Sequence, residues 1–204
     1  PAAAGAGTVA KALSKHYKLF YLDTGKIYRF IGFQKLKYPK KFNQKFIKRK
    51  IKSLQLKDLS DKSLLSNQVS TEASIISKKK YIRKLVHSFQ LRFAYNPPKK
   101  FKGSCLDGRD ITYKIVPDAD YKFYITANVK IRAMRRYKEL RKIKKDISYN
   151  EVLKSIKIRD KNDLNRKISP LKRTKDSLLI NTTNLTKRAC FIKIKKIIDG
   201  KTKN

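Results

Sequence analysis

Cysteine and histidine are almost missing from this chain: 204 residues hold two of each, Cys105 and Cys190, His16 and His87. Metal sites and disulfide frameworks need several ligands or thiols at close spacing, so both cysteines are expected to be plain reduced thiols. Nothing in the spacing recommends a Cys/His catalytic pair. No apolar run approaches the roughly 20 residues of a membrane span, and the opening PAAAGAGTVA lacks the long apolar stretch of a secretory signal. The reading is therefore a soluble, cytoplasmic protein without a membrane partner. The first residue is Pro1 rather than Met, which suggests a processed product or a fragment.

Acidic residues are the other scarcity. Fifteen Asp and Glu face 53 Lys and Arg, a formal charge of +38 that attracts polyanions and, taken alone, points to nucleic acid. Of the 53, however, 40 are Lys and 13 are Arg, and Ile and Asn are also frequent, so Lys is a compositional background. The informative charges should be the Arg. With 40% hydrophobic residues the chain can bury one sizeable core, with or without inserts.

A small-residue turn leads into an apolar-periodic helix around Val9 to Leu13, then into a strand, KLFYLDTG, that stops at Asp23, Thr24 and Gly25. SCLDGRD and YKFYITAN read as further strands. IRAMRRYKELRK reads as a helix with Met134, Tyr137 and Leu140 on one side. A fourth strand, SLLINT, precedes a C-terminal helix, TKRACFIKIKKII. Strands alternating with helices predict an α/β fold with a mostly parallel sheet. Between Gln34 and Lys62 eleven basic and two acidic residues form an insert or solvated arm. Its plain reading is a solvated basic helix; its sharper one is a polyanion surface with Tyr38, Phe42 and Phe46 interleaved.

Ligands of an open parallel sheet bind at the carboxyl ends of its strands. Those ends carry Asp23, Thr24 and Arg29; Asp107, Gly108, Arg109 and Asp110; and Asn128 with Arg132. Arg, a planar fork of five donors, suits phosphate better than the point charge of Lys. The opening turn, PAAAGAGT, has the small residues that let backbone N–H groups close around a phosphate. Against G-x-x-x-x-G-K-[ST], its first Gly would precede Pro1 and its lysine position is Ala6, so alone it reads better as a flexible terminus.

Taken in order, PAAAGAGT, LDTGKIYR, STEAS with a downstream YIR, LDGRDI with VPDAD, ITANVKIRAMRRYKEL, IKIRDKNDLNRKISPL and LLINTTNL resemble bacterial cytidylate (CMP) kinases. These belong to the P-loop nucleoside monophosphate kinases, and the flavour is alphaproteobacterial. The resemblance covers nearly the whole chain and needs no gap from Asp107 to Leu171. It implies a three-layer α/β fold with a parallel sheet, a CMP-binding insert and a helical lid. The corresponding spans are 1–33 for the phosphate loop and start of the core, 34–100 for the CMP-binding region, 101–136 for core, 137–165 for the lid and 166–204 for the remaining core. The implied reaction moves the γ-phosphoryl group of ATP to CMP or dCMP, with Mg²⁺ accompanying ATP and no metal site of the protein's own. A monomer with no obligate nucleic-acid partner is implied as well.

Residue by residue, the resemblance gives Gly5, Ala6, Gly7 and Thr8 to the ATP phosphate loop. Thr24 and Arg29, with Arg109 beside them, would hold the CMP phosphate. Ser74 and Arg83 match positions that contact cytosine, and Asp110 matches a carboxylate that accepts from its exocyclic amine, a pairing uracil cannot satisfy. Asp163 would take sugar hydroxyls, with Arg159 and Arg166 on phosphate or base; 159, 163 and 166 follow i, i+4 and i+7 of a helix. Arg132, Arg135 and Arg136 would stand at the start of the mobile lid that closes over ATP and the transferring phosphoryl group, and Arg132, Arg136 and Arg159 form the expected catalytic set. Eight of the 13 Arg fall on such positions.

Three departures stand out. Ala6 replaces the lysine that reaches the β and γ phosphates, which leaves a weak, nucleotide-binding pseudokinase as the alternative. ITYK after GRD replaces the usual Gly-Thr pair, so Thr112 and Tyr113 are expected to reshape the edge of the CMP pocket. The family's central first strand would lie just before Pro1, so the chain is expected to be a fragment. A basic RNA-binding protein of ribosomal type remains the reading that charge alone supports.

Overall fold

A computed structural model of the protein describes residues 1–142 and 146–201. Helix dominates, and the four strands are short. These are β1 (Phe20–Asp23), β2 (Ser104–Asp107), β3 (Phe123–Thr126) and β4 (Leu178–Asn181). The mostly parallel sheet foreseen from the sequence is realised as two parallel pairs, β1 with β2 and β3 with β4. The chain divides into two compact units, one formed by Phe20–Gly108 and the other by Pro1–Leu19 together with Arg109–Asn204.

In the Phe20–Gly108 unit, β1 and β2 run in register from Phe20 opposite Ser104 to Asp23 opposite Asp107. Helix α2 (Thr24–Lys37) follows β1 directly and buries Ile27, Tyr28 and Ile31 on one stripe, the spacing of an amphipathic helix. Its Gly32 lies so close to α4 (Asn67–Ile76) that a Cβ would sit 3.1 Å from Ala73 N and 3.2 Å from Val69 O. α3 (Gln44–Lys52) starts at Asn43, whose side chain accepts from Phe46 N at 2.9 Å, satisfying one of the orphan donors of the first turn. α5 (Lys80–Tyr95) adds Ile82, Val86 and Phe89 to the same apolar cluster.

The basic stretch foreseen as an insert or arm is folded onto this cluster. Phe46, Ile47, Ile51, Leu54 and Leu59 are buried in it, and Tyr38 and Phe42 pack against it. The aromatics are thus spent on the core, with Lys37 and Lys50 lying over the Tyr38 ring, rather than held out as a platform for bases. Lys45, Lys48, Arg49 and Lys52 stay exposed, as the plain reading of a solvated basic helix required.

In the other unit, α1 (Ala6–Tyr17) begins at the small-residue turn, where Gly5 has φ +95°, and ends at Lys18, also left-handed. A left-handed start is cheap only for glycine, so Gly5 fixes where the helix begins. Val9 and Leu13 join Ile125, Ile180, Cys190 and Ile194 in an apolar cluster between the β3–β4 pair and α8 (Lys187–Lys201). α6 (Val129–Arg141) and α7 (Tyr149–Asn165) pack through Ala133, Val152 and Ile156. Ser148 and Glu151 close a reciprocal capping box at the start of α7. On α6, Tyr137 and Leu140 face this cluster as expected, whereas Met134 is exposed and the neighbouring Ala133 takes its place in the core. The lid span 137–165 includes residues 143–145, which lie outside the described residues.

Cys105 and Cys190 form no disulfide. Among the described residues no helix is long and apolar enough to cross a membrane, and no group of three or more His, Cys, Asp or Glu could hold a metal ion.

Candidate active site

The strand-end rule brings out two residues first. At the carboxyl end of β1, the buried Thr24 donates its hydroxyl to Asp107 O at 2.8 Å, tying the end of β1 to the end of β2. One turn further along α2, Arg29 Nη1 donates to Leu64 O at 3.0 Å. In the same unit Arg83 is buried, donates through Nε to Ser77 O at 2.6 Å and lays its guanidinium over the Tyr28 ring at 5.3 Å. Ser74, on α4, is half-buried, and its carbonyl accepts from Ser77 Oγ at 2.9 Å. Thr24, Arg29, Ser74 and Arg83 all belong to the Phe20–Gly108 unit, each with its own partners: Thr24 and Arg29 on α2, Ser74 near the end of α4 and Arg83 in the first turn of α5.

The second set lies in the other unit. Arg109 Nε donates to Asp163 Oδ2 at 2.8 Å, and Arg166 Nη1 lies 3.5 Å from Asp163 Oδ1. Burial opposes ionisation of Asp163, but the charge and hydrogen bond of Arg109, with Arg159 and Arg166 nearby, outweigh it and hold the carboxyl below the usual carboxylate range. Arg159 and Asp163 are four residues apart on α7, whereas Arg166 follows the helix end in extended backbone and still reaches Asp163. Asp110 is buried at the start of the π-helical turn Ile111–Ile115. Within that turn Tyr113 donates to Pro170 O at 2.6 Å, and Lys172 stands 4.3 Å over its ring, so the unusual ITYK segment is locked against the chain that follows α7.

The phosphate-loop candidates occupy the turn into α1: Gly5 caps the helix, and Ala6, Gly7 and Thr8 form its first turn, with their N–H groups at the positive end of the helix dipole. Of the three α6 arginines singled out in the sequence, Arg132 is buried and bonded to Ala127 O, Ala2 O and Asp160, and Arg135 is bonded to Thr182 and Leu185. Arg136 lies at the surface, 3.3 Å from Glu139. Asp160 and Thr182, which hold these arginines and the loop together, were not singled out in the sequence. The one signal was scarcity: Asp160 is one of only 15 acidic residues.

This distribution of Arg and carboxylate at the strand and helix ends accompanies an extended sequence match. A sequence model of the cytidylate kinase family covers residues 1–199. The chain belongs to that family. It is 39% identical over 203 residues to a cytidylate kinase of Bartonella henselae, covering 98% of this chain and 91% of the relative. A cytidylate kinase of Bartonella tribocorum is 40% identical over 192 residues, 94% of this chain and 87% of the relative. One from Thermosipho melanesiensis is 35% identical over 208 aligned residues, the full length of this chain and 95% of the relative. The alphaproteobacterial resemblance agrees with the two Bartonella relatives.

Proposed function

We propose that this cytidylate kinase family member transfers the γ-phosphoryl group of ATP to CMP or dCMP, as a cytoplasmic monomer. An oxygen of the CMP phosphate attacks the γ-phosphorus in line, the bond from that phosphorus to the β,γ-bridging oxygen breaks, and ADP leaves with the electron pair. Such a transition state is loose and asks little covalent help from the protein, so positioning and charge stabilisation carry the catalysis. Mg²⁺ enters as part of the ATP substrate, neutralising charge on its β and γ oxygens and keeping most of its other ligands as water.

In this reading the turn around Gly5, Ala6, Gly7 and Thr8 cradles the ATP phosphates, and Arg136 and Arg159 meet the transferring group, with Arg132 supporting them. Thr24, Arg29 and Arg109 hold the CMP phosphate. Ser74, Arg83 and Asp110 read cytosine, and Asp163 and Arg166 hold the sugar side. The single observation that carries the reading is the Arg109–Asp163–Arg166 cluster, with its 2.8 and 3.5 Å contacts, in a chain that matches the cytidylate kinase family from residue 1 to 199. Arg109 lies 54 residues from Asp163 in sequence, and in an acid-poor chain its convergence with Asp163 and the neighbouring Arg166 supports a ligand site.

The test is an ADP-release assay with CMP, dCMP, UMP and AMP on the wild-type chain and on Ala6→Lys, paired with calorimetric binding of CMP. CMP- and dCMP-dependent turnover above that with UMP and AMP supports the reading. Turnover in neither protein, with no binding of CMP, refutes it; binding of CMP without turnover in either favours the pseudokinase.

A further inference from the structure

We infer that Asp160 is a positioning residue that fixes the shape of the phosphate loop from the base of the lid helices, acting through Arg132 and the Ala2 backbone. The inference rests on the kinase reading of the loop and adds a residue to it. Asp160 Oδ1 accepts from Ala2 N at 2.9 Å, and its Oδ2 pairs with Arg132 Nη1 at 2.5 Å. The same Nη1 donates to Ala2 O at 2.9 Å, while Arg132 Nε donates to Ala127 O at 2.8 Å. Both backbone polar groups of Ala2 are therefore held, its N–H by α7 and its carbonyl by α6. The side chains of Arg132 and Asp160 are 7% and 13% exposed, so this pair works where water does not compete strongly.

A second brace runs beside it. Ala4 O accepts from Thr182 Oγ1 at 2.9 Å, and Arg135 Nη1 donates to that same hydroxyl at 3.0 Å. Between the two braces, Ala3 packs against the Ala133–Val152–Ile156 cluster with φ +55°, a left-handed conformation that costs an alanine energy unless its neighbours hold it. Alternate loop carbonyls are thus turned into the protein, Ala2 O by Arg132 of α6 and Ala4 O by Thr182, which Arg135 of α6 supports. Carbonyls turned inward leave the loop's N–H groups free to face an anion, which is what a phosphate cradle requires. Two of the four α6 arginines are committed to this task, and any movement of α6 and α7 is passed to the loop through them.

The experiment is calorimetric titration of ADP and, separately, CMP into the wild-type chain, Asp160→Asn, Asp160→Ala and Thr182→Val, each first shown to be folded by circular dichroism and thermal unfolding. Asp160→Asn keeps an acceptor for Ala2 N but loses the charge that orders Arg132; Asp160→Ala loses both. The expected result is a rise of about tenfold in the ADP Kd for Asp160→Ala, the size of one charge-assisted hydrogen bond, a smaller rise for Asp160→Asn and little change in CMP Kd. Thr182→Val should weaken ADP in the same selective way. ADP affinity within twofold of wild type in a folded Asp160→Ala protein, or equal losses for ADP and CMP, overturns the inference. Wild-type protein that binds ADP but not CMP instead counts against the CMP kinase reading and leaves the Asp160 comparison intact. Should Asp160→Ala fail to fold, Asp160→Asn and Thr182→Val decide the same question.

Discussion

Arg109 and Asp163, 54 residues apart in sequence, meet in a 2.8 Å ion pair with Nε donating to Oδ2. Asp163 is also the shared counter-charge for Arg159 and Arg166, so it holds three guanidinium groups within one site. Removing it leaves those charges to repel one another in a largely buried place, and Asp163→Ala is expected to cost about 3 kcal/mol of stability. Asp163→Asn, which keeps an acceptor, should cost less. Because the folded carboxyl lies below its unfolded value, its contribution is complete above about pH 4 and is lost as the pH falls through the folded value. Urea unfolding at about pH 7 and in acid checks both points: Asp163→Asn should destabilise at neutral pH and lack part of the wild-type loss in acid.

Ala6 opens α1 directly after the left-handed Gly5. A lysine here would start from the first turn of a helix whose N–H groups already favour anions, and its ammonium would add a donor that acts on the transferring phosphate. Ala6→Lys should therefore raise kcat by roughly 10²- to 10³-fold with CMP KM nearly unchanged. Steady-state kinetics with varied CMP at saturating ATP measure this; an unchanged kcat would mean that one of the abundant Lys residues already serves.

The part of the site that was legible in sequence is the part built from local spacing and scarce residue types. Arg159 and Asp163 could be placed on one helical face because their separation is that of an α-helix, and α7 carries both; Arg166 falls just past the helix end, in extended backbone. Thr24 could be placed at a strand end because β1 stops where the apolar run stops. What escaped was contact between distant segments. Ala2 and Asp160 are 158 residues apart, and nothing in PAAAGAGT announces which carboxylate receives its N–H. The same contact accompanies the one departure on α6: Arg132 is held inward by Ala2, Ala127 and Asp160, and beside it Ala133 rather than Met134 joins Tyr137 and Leu140 at the core. In the basic segment, Lys and aromatic residues alternate closely enough to suggest base stacking, but Phe46 is also one residue from Ile47 and five from Ile51, and burial of that set outweighs display of the rings.

Gly32 offers a test of the packing behind the CMP-side residues. The backbone atoms Ala73 N and Val69 O would lie 3.1 and 3.2 Å from a new Cβ, and backbone in the middle of a helix cannot withdraw as a flexible side chain would. Despite the higher helix propensity of alanine, Gly32→Ala should destabilise by about 1–3 kcal/mol, because α2 and α4 must move apart. Ser74 rides on α4, so CMP should bind more weakly in this variant while ADP binding changes little. Denaturant unfolding and the two titrations read the two effects.

Alkaline conditions probe a different part of the same unit. Tyr21, on β1, has its phenol pKa raised, chiefly by burial and further by the negative charges of Asp107 and Asp23. The folded chain therefore keeps this phenol neutral at a pH where the unfolded chain, titrating near 10, releases the proton. Stability that is intact below about pH 10 must fall as the pH rises beyond it, since the unfolded state then gains from ionisation and the folded state does not. Tyr21→Phe removes that gain, so its stability should decline less steeply than wild type between about pH 9 and 11. Urea unfolding across that range, with tyrosinate absorbance followed in parallel, gives the two slopes, and equal slopes would mean that the Tyr21 hydroxyl is as accessible in the folded chain as in the unfolded one.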